Sequence, residues 1–174
     1  MTGAELLADL QRPWRHGEHV DARGIVLEDA LVLDGLEVRG FDLSGATLKG
    51  GLSARGTTFR GLAWLRGTTI RGMCDMSGGF FRTDLRADGL VAEDVVLDGV
   101  HVQGVLSLTE ARLTSLSLKA ALMMANTTLQ GSHITGNVDL TGAEIMGGLW
   151  SATAQIGAMR TRDAEISGRL RLPG

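Results

Sequence analysis

Apolar residues recur in pairs one position apart, and the pairs repeat every five or six residues from Val20 to Leu172. They begin as Val20-x-Ala22, Ile25-x-Leu27, Leu31-x-Leu33, Leu36-x-Val38, Phe41-x-Leu43 and Ala46-x-Leu48. The same beat continues through Leu85-x-Ala87, Val95-x-Leu97, Leu106-x-Leu108 and Val138-x-Leu140 to Leu170-x-Leu172. Residues two apart on an extended chain point to the same side, so each pair reads as a very short strand with both members inward. Two or three polar or glycine residues separate the pairs, which is turn composition. The second members, or centres, run through Val38, Phe59, Trp64, Met76, Phe81, Val102, Leu118, Met124 and Ile145. Glycine stands two after many centres, as at Gly35, Gly45, Gly99 and Gly142, where a tight corner can call for a positive φ.

A helix would place its apolar positions three and four apart, and a meander sheet would need strands of about 5–6 residues. Two-residue strands with a corner at every step wind into a coil instead. Four sides of five or six residues make a coil of roughly 21–22 residues, and coils stack at about 4.8 Å. About seven coils fit, giving a rod on the order of 34 Å long. The expected fold is all-β: residues 1–19 form a capping helix and linker, and residues 20–172 a β-helix.

Phe41-Asp-Leu-Ser-Gly45, Ala46-Thr-Leu-Lys-Gly50, Val95-Val-Leu-Asp-Gly99 and Val138-Asp-Leu-Thr-Gly142 resemble the consensus of the pentapeptide-repeat family. That consensus is a small residue, Asp or Asn, Leu or Phe, a polar residue, then often Gly. The resemblance covers residues 20–172 and implies a right-handed quadrilateral β-helix. Many intervals are six rather than five, and Leu or Val often replaces the small residue, so the repeat is a degenerate one. The left-handed hexapeptide helix is disfavoured, because its repeat is a steady six and this one averages about 5.4.

Stacked coils leave open edges and apolar ends that need caps. Thr2-x-x-Glu5 is a capping-box pattern, Leu6, Leu7 and Leu10 share one helical face, and Pro13 stops the run. The spacing predicts a short helix over residues 3–11, with Trp14 helping it cover the first coil. The C-terminal end shows no such cap: Arg169-Leu-Arg-Leu-Pro-Gly174 is still in the repeat. That end is either truncated or meets a second copy. Members of the family dimerise end to end, so the resemblance implies a homodimer through Leu170 and Leu172.

Composition narrows the picture. The 174 residues amount to one domain. A net charge of −3 gives no reason to expect direct nucleic-acid binding, nor the extreme acidity of an obvious nucleic-acid mimic. Aromatics are scarce at 4%, with no Tyr, so the core is narrow and built of small layers. The single cysteine excludes an internal disulfide, and Cys74 in Cys74-x-Met76 reads as a small buried hydrophobe. No signal peptide is evident, and no apolar run approaches about 18 residues, so the expected location is the cytoplasm, with no membrane insertion.

Function on a solenoid falls to residues flanking the centres. One side stacks Asp34, Asp75, Asp98 and Asp139, interrupted by Arg55 and Val96, with Lys119, Arg160 and Arg162 toward the end. The next stacks Arg39, Arg60 and Arg82 on successive coils, followed by Gln103. That side also carries outward Phe80, His101 and Met123, with Glu144 and Glu165 beyond. Like charges one coil apart repel unless neighbours or a ligand compensate. The ladders therefore read either as a solvated surface with cross-corner pairing to acids such as Glu37 and Asp34, or as an anion or partner site beside an apolar strip. Leu65, Met146 and Trp150 read as further exposed apolar groups.

No catalytic constellation stands out. His16-x-x-His19 lacks a third ligand for a metal, no nucleophile motif frames the serines, and no glycine-rich stretch leads into a long helix to cradle phosphate. No cofactor is expected. The leading expectation is a non-catalytic scaffold for protein interaction with an unidentified protein partner. The resemblance also implies a sharper alternative, a mimic of duplex DNA that binds DNA gyrase or another type II topoisomerase and confers inhibitor resistance. A third expectation is a small-molecule-binding protein or enzyme with a groove near His101, Phe80, Met123 and the arginines. A fourth is assembly into filaments through uncapped ends.

Overall fold

The computed structural model describes residues 1–174. The chain winds into a right-handed parallel β-solenoid of about seven turns with one short helix. Every strand pairing is parallel, and partners stand 21 or 22 residues apart: Val20 pairs with Phe41 and Phe59 with Phe81. The expected coil length is thus the observed one. Most strands are two residues long, because a corner follows each apolar pair.

Four faces result. The first holds eight strands, from His19–Asp21 through Gly40–Asp42, Ala63–Trp64 and Leu85–Arg86 to Leu170–Arg171. The second begins with Val26–Leu27, Thr47–Leu48 and Thr69–Ile70, and continues through single bridges at Val91 to Arg112–Leu113. The third includes Leu31–Val32, Leu52–Ser53, Cys74–Asp75, Asp94–Val96 and Ser115–Ser117. The fourth holds Glu37–Val38, Thr58–Phe59, Phe80–Phe81, His101–Val102, Leu122–Met123, Glu144–Ile145 and Glu165–Ile166. Late in the chain the corner between the second and third faces opens. His133–Asp139 runs as one strand against Gln155–Arg160, with a register shift between Ile134 and Asn137.

The interior is a column of Leu, Val, Ile, Met and Ala, 45 buried apolar residues in one cluster. Phe41, Phe59 and Phe81 are its only aromatic members. Of the polar residues in inward seats, the Thr57 hydroxyl donates to the Leu33 carbonyl at 2.7 Å and Thr68 to that of Leu43 at 2.8 Å, while the buried Thr127 and Ser132 hydroxyls have no partner.

Glycine serves two purposes at the corners. Gly35 adopts φ +67, a left-handed conformation that costs other residues roughly 1–2 kcal/mol. Gly147 has no such dihedral, but a Cβ there would lie 2.5 Å from the carbonyl carbon of Ala125 on the coil before.

The helix spans Gly3–Leu10 and carries the full capping box, Thr2 and Glu5 each bonding the other's backbone N–H. Leu6 and Leu10 are fully buried on the first coil, and the Arg39 N–H donates to the Leu10 carbonyl at 2.9 Å. Trp14 packs against a corner of the early coils. Its indole nitrogen lies 2.9 Å from where a Cβ of Gly61 would be, at the corner that Gly61 shares with Gly40. No helix is long and apolar enough to cross a membrane.

Candidate interaction face

The fourth face presents two outward columns. Strand pairing stacks Glu37, Thr58, Phe80, His101, Leu122, Glu144 and Glu165 in one of them. The residues that follow each inward centre, Arg39, Arg60, Arg82, Gln103, Met124 and Met146, form the other. The arginines at 39, 60 and 82 therefore do stand on successive coils, next to Phe80 and His101.

The two columns pair obliquely. Arg60 grips Glu37 with two nitrogens, Nε at 2.5 Å from Oε1 and Nη2 at 2.9 Å from Oε2. This bond is the main reason the Glu37 carboxyl titrates below its usual range and the Arg60 guanidinium above its own. Arg39 repeats the pattern one coil earlier with Glu18 at 3.1 Å. For Arg82 the corresponding seat holds Thr58, which has no charge to offer. Its guanidinium lies over the Phe80 ring instead, 5.7 Å from the centroid, a cation–π contact. Phe80 also receives His101 edge-on, with centroids 4.9 Å apart and planes at 84°. The His101 Nε2 is covered and has no hydrogen-bond partner.

Met123 is not part of this surface. It is wholly buried, and Met124, taken from the sequence as the inward centre, is 46% exposed. The cause is a corner that carries no glycine. Ala120 adopts φ 53 there, the role Gly99 and Gly142 play one coil to either side, so Ala121-x-Met123 is the inward pair. The same one-residue slip occurs at Trp64 and Leu65. Leu65 is buried and Trp64 faces out beneath the Arg66 guanidinium, 4.3 Å away, because the corner glycine is Gly67, two after Leu65. The outward apolar strip is therefore Phe80, Leu122, Met124 and Met146 around His101. Two of these, Leu122 and Met124, do not follow from the sequence pattern, because the corner that sets their register is an alanine, Ala120, and no residue type marks it.

The acids of the third face occupy two adjacent columns rather than one. Asp75 and Asp139 lie in the strand ladder, and Asp34 and Asp98 at the following corner. Each is engaged. Asp34 accepts the Ser53 hydroxyl at 2.7 Å and the Arg55 N–H at 2.9 Å, and pairs with the Arg55 guanidinium at 2.8 Å. The Ser53 bond leads in holding its carboxyl below the usual range. Asp98 accepts from Ser117 and from the Lys119 N–H. Asp75 accepts the Ser77 N–H at 2.9 Å. Asp139 accepts the Thr141 hydroxyl and N–H at 2.6 and 3.0 Å, with Arg160 at 3.8 Å and Lys119 at 3.9 Å. The hydroxyl bond leads in lowering its titration.

Leu170 begins the last strand and Leu172 follows it, 47% and 45% exposed. Two depressions lie away from the fourth face. One of about 620 Å³ is wholly polar and includes Glu110, Arg112, His133 and Gln155 in its wall. The other, about 600 Å³, lies between the helix and the first coil, against Leu7, Val26 and Val32. Neither touches Phe80, His101 or Arg82. No three His, Cys, Asp or Glu side chains converge in a way that would hold a metal ion.

No protein-family model matches this chain, and no curated protein matches its sequence.

Proposed function

We propose that this chain is a non-catalytic scaffold for protein interaction, a pentapeptide-repeat protein with a degenerate repeat, and that its fourth face is the binding surface. One observation carries the reading. A strip of Phe80, Leu122, Met124 and Met146 faces outward on a rigid ladder, with Arg82 at one end and Glu144 and Glu165 at the other, none of the three in an ion pair. Apolar groups aligned and rimmed by charge in this way are the anatomy of a protein contact. A solenoid of parallel ladders supports such a surface without rearrangement, because the strands beneath it are paired coil to coil along the rod.

The other readings lack a comparable carrier. Mimicry of duplex DNA for a topoisomerase would use a free acidic stripe, and the acids of the third face are bound to their own hydroxyls, N–H groups and cations. A small-molecule or enzymatic groove near His101 would use a cavity there, and the depressions beside His133 and beneath the helix lie elsewhere.

The test is a photo-crosslinking amino acid placed at Met146, compared with one at Thr47 on the second face, each in extract from cells that make the protein. Protein adducts formed at Met146 and not at Thr47 are expected. Equal labelling at the two positions, or none at Met146, rejects the reading.

A further inference from the structure

We propose that the partner seated on the fourth face is a second copy of this chain, docked side by side and antiparallel. The proposal rests on the reading of that face as a protein contact and adds who occupies it.

The argument starts from charges the chain leaves unmatched. Arg39 is matched by Glu18 and Arg60 by Glu37. Arg82 has no carboxylate within ion-pair distance and only adds its field to Glu37, which Arg60 already holds; Glu144 and Glu165 have no cation within that distance, and they share the face with Arg82. Glu144 and Glu165 are in addition direct ladder neighbours, so they repel each other. Arg82 and Glu144 stand three coils apart, about 14 Å along the rod. His101, Leu122 and Met124 lie between them.

A face with a positive end, an apolar middle and a negative end is complementary to its own reversed copy. A two-fold axis lying in the plane of the face, across the rods and between the coils of His101 and Leu122, sets each column against the same column in opposite order. Leu122 then meets the second copy's His101, and Glu144 meets its Phe80. The Arg82 guanidinium already lies over its own Phe80 ring, so it stands where the second copy's Glu144 arrives. Met146 covers the stem of Arg82, and Glu165 comes opposite Thr58, the seat left without an acid. Each contact forms twice, as an isologous interface requires. A parallel docking would bring Arg82 against Arg82 and the glutamates against the glutamates, which like-charge repulsion disfavours.

The strip from Phe80 to Met146 is four coils, about 19 Å long, and one strand wide. That is below the roughly 800 Å² per partner of a standard stable interface, so the dimer belongs to the weak, concentration-dependent class.

The experiment is sedimentation velocity on the full chain from micromolar to near-millimolar concentration, at low and high salt. The mass is expected to rise from 18.4 kDa toward twice that value, more readily at low salt. Arg82→Glu is expected to weaken the dimer at least roughly tenfold, as is the double variant Glu144→Arg/Glu165→Arg; combining all three changes is expected to restore it. These side chains point outward, and circular dichroism of each variant checks that the fold is retained. A chain that stays monomeric, or a dimer indifferent to Arg82→Glu, overturns the proposal. A monomer whose Met146 crosslinks to a different protein overturns self-pairing and leaves the interaction face standing; a monomer with no crosslink there overturns both.

Discussion

The rings of Phe59 and Phe81 lie face to face inside the rod, 4.2 Å between centroids and 6° from parallel. Aromatic pairs in ordinary cores prefer offset or edge-on contacts. Here the ladder decides. Phe59 and Phe81 are direct partners in a parallel pairing, and that pairing repeats side chains at about 4.8 Å in the same orientation. Phe41 enters from the first face and meets Phe59 edge-on at 5.9 Å, so the three rings form one aromatic layer in a core otherwise built from aliphatic and sulfur side chains.

Phe59→Ala is expected to cost about 3–5 kcal/mol, since it removes the middle ring of the three and opens a cavity between coils that cannot collapse independently. Phe80→Ala removes a ring from outside the column and is expected to cost about 1 kcal/mol or less. Urea unfolding of both variants checks the contrast. Similar losses would show that the three-ring stack adds nothing to the core.

Ala120 sits at φ 53 in a corner where the coils on either side use Gly99 and Gly142, at φ 64 and 67. The N–H groups of Gly99, Ala120 and Gly142 donate on the next coil to the carbonyls of Lys119, Thr141 and Arg162 in turn, each the residue before its counterpart, so the geometry is shared and only the Cβ differs. Ala120→Gly is expected to stabilise the protein by up to about 1 kcal/mol, and Gly142→Ala to destabilise it by about the same amount. Gly147→Ala fails for another reason, the collision with Ala125, and is expected to cost about 1–3 kcal/mol or more. Thermal melts of the three variants separate strain from collision.

The two-apart apolar pairs carry the coil length and the inward positions of most centres, because in a solenoid each repeat sees the same environment and local pattern becomes global structure; the capping helix is legible separately, in Thr2-x-x-Glu5 and the leucines after it. Cys74 and Phe81 inward and Phe80 outward follow from the same count. The pattern fails where two bulky apolar residues are adjacent and either could turn in, at Trp64–Leu65 and Met123–Met124. At the first, Gly67 marks the corner that decides the register. At the second the corner residue is Ala120, which nothing in composition distinguishes from a strand residue. The partnering of the arginines was harder still to read. Arg60 reaches an acid 23 positions back, and which neighbour a long side chain chooses depends on rotamers that spacing does not encode. Arg82 stands out only once the two earlier pairs are visible.

Acid should loosen the rod in a defined window. Arg23 bonds Asp21 and holds its carboxyl at about 2, against an ordinary 3.8. Asp34 and Asp139 are also lowered, chiefly by the Ser53 and Thr141 hydroxyls. A carboxyl whose titration is lower in the folded chain stabilises the fold above its ordinary value, and that contribution is lost as pH falls toward the folded one. Stability is therefore expected to hold down to about pH 4 and to decline between there and about pH 2. Asp34→Asn is expected to flatten the decline. Urea midpoints across that range check it, and a wild-type midpoint unchanged to pH 2 would remove these carboxylates from the account.

Cys74 is fully buried in the third face, with Asp75 beside it on the strand. Burial first, and the Asp75 charge second, push its thiol up to about 12. A thiol that keeps its proton this firmly supplies almost no thiolate at neutral pH, and its side chain is inaccessible as well. The native protein is expected not to react with a chromogenic disulfide reagent, while the unfolded chain titrates one thiol per molecule. Because the Cys74 strand pairs with Leu52–Ser53 on one side and Asp94–Val96 on the other, exposing the thiol means parting neighbouring coils. The labelling rate in mild urea therefore measures how often the middle of the rod opens. Phe59→Ala, one coil away, is expected to speed it by about the factor its stability loss predicts. An equal rate in wild type and variant would mean that opening at Cys74 starts elsewhere, and a rapid reaction without urea would contradict the burial itself.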